Sequence, residues 1–62
     1  MLVPASQLRP GYRIFHPAAK RLATVVSVHG QVLECRVDHW IGLVHTNVGD
    51  KHIAVVSLGS AR

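Results

Sequence analysis

The run Leu22-Ala-Thr-Val-Val-Ser-Val28 sets the terms for the whole chain. Valine and threonine lose side-chain freedom in a helix and pack well on a pleated surface, so a segment built from them forms a strand. No helix-favouring run of Glu, Lys, Leu and Ala interrupts it. His29-Gly30 follows as a two-residue turn, where glycine takes the positive φ that tight hairpins require. Gln31 to Asp38 then alternates, with Leu33, Cys35 and Val37 on one face and Glu34, Arg36 and Asp38 on the other.

The rest of the chain continues in the same way. Trp40 to Thr46 is expected as a strand, Asn47-Val-Gly49-Asp50 as a turn, and His52-Ile-Ala-Val-Val-Ser-Leu58 as the returning strand. Ahead of them Tyr12-Arg-Ile-Phe15 makes a short strand, entered by Pro10-Gly11 and stopped by Pro17. Five short strands with a turn roughly every ten residues predict a small, strongly bent antiparallel barrel. The 62 residues form one domain, 1–62, with loose termini over about 1–7 and 59–62. Leu2 and Val3 have the character to add an edge strand. A chain this short buries only about 60% of its unfolded surface, which excludes doubly wound sheets and deep cofactor clefts.

Composition adds a hint about partners. Hydrophobic residues make up 48% and charged ones 16%, against a usual charged share of about 25%. Small domains have proportionally more surface, so the excess of apolar residues predicts cover by another chain: a homo-oligomer or a docking module. Trp40 is the candidate interface anchor, its alternative being a place in the core or at the barrel end.

Charge is unevenly placed. Arg9, Arg13, Lys20 and Arg21 stand in residues 1–33 without a single acid. Residues 34–62 balance Arg36, Lys51 and Arg62 against Glu34, Asp38 and Asp50. A basic stretch with aromatic residues between its cations suits DNA or RNA: arginine and lysine meet phosphate and an aromatic ring stacks on a base. The candidate nucleic-acid contacts are Arg9, Tyr12, Arg13, Lys20 and Arg21. The plainer alternative is a solvated strand and loop. Period two places Tyr12 with Ile14 and Arg13 with Phe15, so both aromatics cannot share a face with the arginines.

Leu8-Arg-Pro-Gly11-Tyr-Arg-Ile14, with Ala23-Thr-Val25 and Val28-His-Gly30, resembles the opening half of an SH3-like barrel of the KOW type. Such domains occur in ribosomal and transcription-associated proteins and enter their strands through a Leu-x-x-Gly-Asp-x-Val pattern. The resemblance covers residues 8–30. Tyr12 stands where the family usually carries Asp, and Pro17-Ala-Ala-Lys20 replaces a glycine-bearing loop. The likeness implies a five-stranded SH3-like barrel, a fold that hosts RNA binding, peptide binding and subunit assembly alike. Two other tiny β families fail on their motifs. The Leu-Thr-Arg-Arg of carbon-storage regulators is missing, and Ile53-Ala-Val-Val56 lacks the polar group of the Val-Gln-Ile-Tyr strand in plasmid-borne dihydrofolate reductases.

Several chemistries find no support. A lone cysteine, Cys35, makes no internal disulfide, and neither Cys-x-x-Cys nor His-Glu-x-x-His occurs. Cys35 and His39 would lie about 13 Å apart along a strand. The histidines at 16, 29, 39, 45 and 52 are spread along the chain, so no metal and no cofactor is expected. With three acids, and a thiol on the apolar face of its strand, the chain is not expected to be an enzyme. Pro4, Ser6, Gln7 and Arg9 break the only apolar start, and the longest uncharged stretches after position 39, 40–49 and 52–61, cover ten residues each. That is short of the ~20 needed to span a bilayer, so a cytoplasmic location without membrane contact is expected. The leading expectation is a small basic nucleic-acid-binding protein, and the alternative is an oligomeric protein–protein interaction module using Trp40 and the apolar strands.

Overall fold

The computed structural model describes residues 1–59. Its strands are β1 (Leu2–Pro4), β2 (Arg13–His16), β3 (Arg21–His29), β4 (Val32–Val37), β5 (Val44–Asn47) and β6 (His52–Ser57). All pair antiparallel in one sheet of order β1-β6-β2-β3-β4-β5. β2 to β5 form a meander, and β6 returns to lie beside β2. The all-β, antiparallel expectation holds, with six strands rather than five and without closure: β1 and β5 remain as two free edges.

The sixth strand comes from the N-terminal segment. Leu2, Val3 and Pro4 pair with Ala54, Ile53 and His52, and a 3₁₀ turn over Ala5–Gln7 buries Ala5. Pro4 is tolerated because β1 is an edge, where a missing N–H breaks no inner ladder. The other expected loose end, 59–62, lies outside the described residues apart from Gly59. β5 starts at Val44 instead of Trp40. His39 (φ 68°) and Gly42 (φ 84°) both take left-handed backbone, outside the extended region that a regular ladder needs, and Trp40 to Leu43 form a loop.

Two bulges bend the sheet around its core. The β3–β4 register shifts between Val25 and Ser27, leaving Val26 unpaired, and the β2–β6 register shifts between Arg13 and Ile14. An extra residue in one strand sharpens local twist, which lets a nine-residue β3 curl over. Leu8, Ile14, Ala23, Val25, Leu33, Cys35, Val37, Val48, Ile53 and Val55 fill the interior with Ala5. Leu33, Cys35 and Val37 are the inward set that the alternation predicts. Each large member contributes about 1.5–3 kcal/mol by leaving water.

His16 is the one buried polar side chain among the described residues. Its Nδ1 accepts the backbone N–H groups of Ala18 and Ala19 at 3.2 and 3.0 Å. That leaves the proton on Nε2, which donates to Thr46 Oγ1 at 3.1 Å. The ring therefore holds the Pro17–Lys20 turn from inside and ties it to β5. Burial lowers the pKa of His16.

Candidate interaction surface

The five residues expected to contact nucleic acid fall into separate places. Arg13 lies on the outward face of β2. Its Nη1 and Nη2 donate to the two carboxylate oxygens of Asp38 at 2.8 and 2.6 Å, and Nη1 also donates to Thr24 Oγ1 at 2.8 Å. Those hydrogen bonds raise the pKa of Arg13 and lower that of Asp38. Tyr12 is half-buried against the core, and its carbonyl accepts Val25 N–H at 2.9 Å. Arg9 is exposed beside a shallow recess formed with Ser6, Leu8, Pro10, Ser27, Val28 and Gly30. Lys20 and Arg21 are exposed at the start of β3. Four residues of strand, about 13 Å, separate Arg21 from Val25, the residue tied to Tyr12. The fold thus joins Lys20 with Arg21 and Arg9 with Tyr12, and does not gather all five.

Strand register assembles three rows on the outward face. The first is Leu2↔Ala54↔Phe15↔Leu22 across β1, β6, β2 and β3. It spans three strand spacings, about 14 Å. Leu2 is 68% exposed, and Phe15 and Leu22 are each 42% exposed. The second row is Ser57↔Arg13↔Thr24↔Arg36. The third is Ser27↔Glu34↔His45.

The third row is closed on itself. Ser27 Oγ donates to Glu34 Oε1 at 2.7 Å, and His45 Nε2 lies 2.7 Å from Glu34 Oε2. With its only proton given to Glu34, Ser27 accepts from His29 Nε2 at 3.0 Å. This polarity is the reverse of a nucleophile giving its proton to a histidine base. The hydrogen bonds from Ser27 and then His45 lower the pKa of Glu34. The second row is held together by Arg13, which bonds Thr24 and Asp38. Only the first row turns apolar side chains to solvent; in the second, Arg36 is exposed and has no carboxylate partner among the described residues.

A loop begins at the Leu22 end of that row. Asp38 N–H donates to the Leu22 carbonyl at 3.0 Å, so the chain leaves β4 beside Leu22, and Trp40 N–H closes the turn onto Val37 at 3.1 Å. Trp40 is 44% exposed, Leu43 is also exposed, and Ile41 stands fully in solvent. Trp40 is outside the core, so the core alternative weighed for it does not occur. Phe15 and Leu22 are the residues that sequence reasoning left out of the site. The signal was present, since alternation already placed Phe15 opposite Ile14.

Cys35 is buried between β3 and β5, and burial pushes its thiol up to about 11. Among the described residues no three His, Cys, Asp or Glu side chains are placed to hold a metal ion, and no helix is long and apolar enough to cross a membrane. Comparison of the chain with family models, with curated proteins and with solved structures finds no significant match.

Proposed function

We propose that this chain is a protein-docking module whose contact surface is the row Leu2, Phe15 and Leu22 with the adjoining Trp40–Leu43 loop. One observation carries the reading: the row is continuous across four strands and solvent-exposed, while Arg13, Thr24 and Asp38 beside it are engaged with one another. Contiguous exposed apolar side chains mark interaction sites, and aromatic residues with neighbouring arginine anchor such interfaces. We further infer that the four-stranded meander, with β6 returning beside its first strand, is an SH3-like arrangement extended by β1. A photo-reactive amino acid placed at Leu22 tests the docking reading against the same group at exposed Asn47 on the β5 edge. Adducts from position 22 and none from 47 support it. Equal or absent adducts sink it, and self-adducts identify a homo-oligomer.

A second reading, nucleic-acid binding, rests on Arg9, Lys20 and Arg21, which are exposed and carry no carboxylate partner among the described residues. It calls for retention on heparin or DNA that disappears at moderate salt. Charge reversal at Lys20 and Arg21 together should abolish that retention if those cations hold phosphate.

A further inference from the structure

We propose that the occupant of this face is a second copy of the same chain, its row laid in reverse on the first to make a two-fold β-sandwich. The inference rests on the docking reading and names the partner. In the row Leu2↔Ala54↔Phe15↔Leu22 the one small residue stands beside the one aromatic ring. Sheets packed face to face lie about 10 Å apart, which leaves room for one large side chain between the backbones and not for two end to end. A two-fold axis parallel to the strands, placed between β6 and β2, makes the row its own complement. Phe15 of each copy then stands over Ala54 of the other, and Leu2 over Leu22. An axis along the row would instead set ring on ring and leave a void between two alanines.

The bend of the sheet suits the same arrangement. The bulges curl the sheet around its core, so its outward face is convex, and two convex faces approach closest at the axis. Ala54 meets Phe15 at that closest approach, and the paired leucines stand where the gap widens. The loop carrying the exposed Trp40, Ile41 and Leu43 begins at the Leu22 end, beside Leu2 of the second copy. Charge agrees with this geometry. The neighbouring row Ser57↔Arg13↔Thr24↔Arg36, reversed on itself by the same axis, brings Arg13 over Thr24 and Arg36 over Ser57. No like charges coincide, and each guanidinium meets a hydroxyl. A stable dimer needs about 500 Å² from each copy. The four strands, of 3, 6, 4 and 9 residues, present about 350 Å² of sheet, and the loop supplies the remainder.

The test uses the full chain. Sedimentation velocity at tens of micromolar should give a particle of twice 6.8 kDa. Phe15→Ala should raise the dimer dissociation constant about tenfold by leaving a hole at the axis, and Ala54→Phe about tenfold by setting ring against ring. Phe15→Ala/Ala54→Phe exchanges knob and hollow, and should return the constant to within about threefold of the unmutated chain. A photo-reactive group at Leu22 should give self-adducts that map to the segment around Leu2. That mapping leaves Phe15 and Ala54 in place, so it decides the matter where either variant fails to fold. A dimer whose adducts from position 22 map away from Leu2 would overturn the proposal. A monomer that captures a different protein from position 22 and not from position 47 would also overturn it, and would leave the docking surface standing with another occupant. A monomer with no adduct from position 22 would remove the docking reading itself.

Discussion

Arg13 and Asp38, 25 residues apart in sequence, meet as a two-pronged ion pair that joins β2 to the end of β4 across β3. The pair removes the most central cation of the basic stretch from service to an anionic ligand. Asp38→Asn tests this directly. It leaves a hydrogen-bond acceptor near Arg13 and deletes the charge that occupies it. Retention on heparin should rise, with the salt slope steeper by about one unit as one more cation becomes available. Unchanged retention would show that Arg13 does not reach polyanions even when freed.

The buried ring of His16 predicts a pH dependence with a defined sign. Folding holds it neutral, because Nδ1 accepts two backbone N–H groups and burial opposes charge. The unfolded chain takes a proton near the ordinary histidine value of about 6.5, and the folded chain only at lower pH. Within that window the unfolded state binds more protons, so stability is fully present above pH ~6.5 and falls as the pH drops towards the folded value. Urea unfolding at pH 7.5 and at 5.5 should differ in midpoint. His16→Gln should flatten this difference and cost about 2–4 kcal/mol at neutral pH, from lost packing and imperfect bonding to Ala18, Ala19 and Thr46. A pH profile that is the same in the variant would locate the dependence elsewhere. Asp38 and Glu34, whose pKa values are lowered, contribute stability above the ordinary carboxylate range that is lost at more acid pH, a separate step.

Local chemistry made much of the fold legible in the sequence. The alternation of Leu33, Cys35 and Val37 names an inward face without any knowledge of the sheet, and Gly30 at φ 62° lies in the hairpin turn, which falls one residue later than the local signal, at Gly30–Gln31, because His29 still pairs with Val32. What the sequence hides is long-range register. Phe15 and Leu22 become one surface only when β2 pairs with β3 in this register, and Leu2 joins them only through β6. The Arg13–Asp38 pair has the same origin. The start of β5 was misplaced for a different reason: a positive φ at His39 costs a non-glycine residue energy that the tertiary fold supplies, and nothing in the local pattern announces it.

The exposed Trp40 loop should be nearly silent for stability. Trp40→Ala and Ile41→Ser remove side chains that are half and fully exposed, so unfolding free energies should change by less than about 1 kcal/mol. Leu33→Ala, in the core, should cost about 2–5 kcal/mol. The yield of adducts from a photo-reactive group at Leu22 should respond in the opposite order, falling in Trp40→Ala. A large loss of melting temperature in Trp40→Ala would mean that the loop folds back onto the sheet.

Cys35 offers a probe of how tightly the sheet is closed. The thiol has no exposed surface and titrates at about 11, so both access and ionisation oppose its reaction. At pH 8 an aromatic disulfide reagent should leave the folded protein untouched for many minutes and label it at once in guanidinium chloride. The labelling rate in water then reports openings of β4 away from β3 and β5, the strands paired with Cys35. β5 is a four-residue edge strand, so its ladder is the weakest barrier to the thiol. Its interior tie is the Thr46–His16 hydrogen bond. Opening β5 also uncovers His16, whose Nδ1 is then free to take a proton that burial opposes, so lowering the pH from 7.5 to 5.5 should raise the opening equilibrium once the lower thiolate fraction is corrected for. His16→Gln should raise it already at neutral pH. Fast labelling of the unmutated protein at neutral pH would mean that β5 does not stay paired in solution.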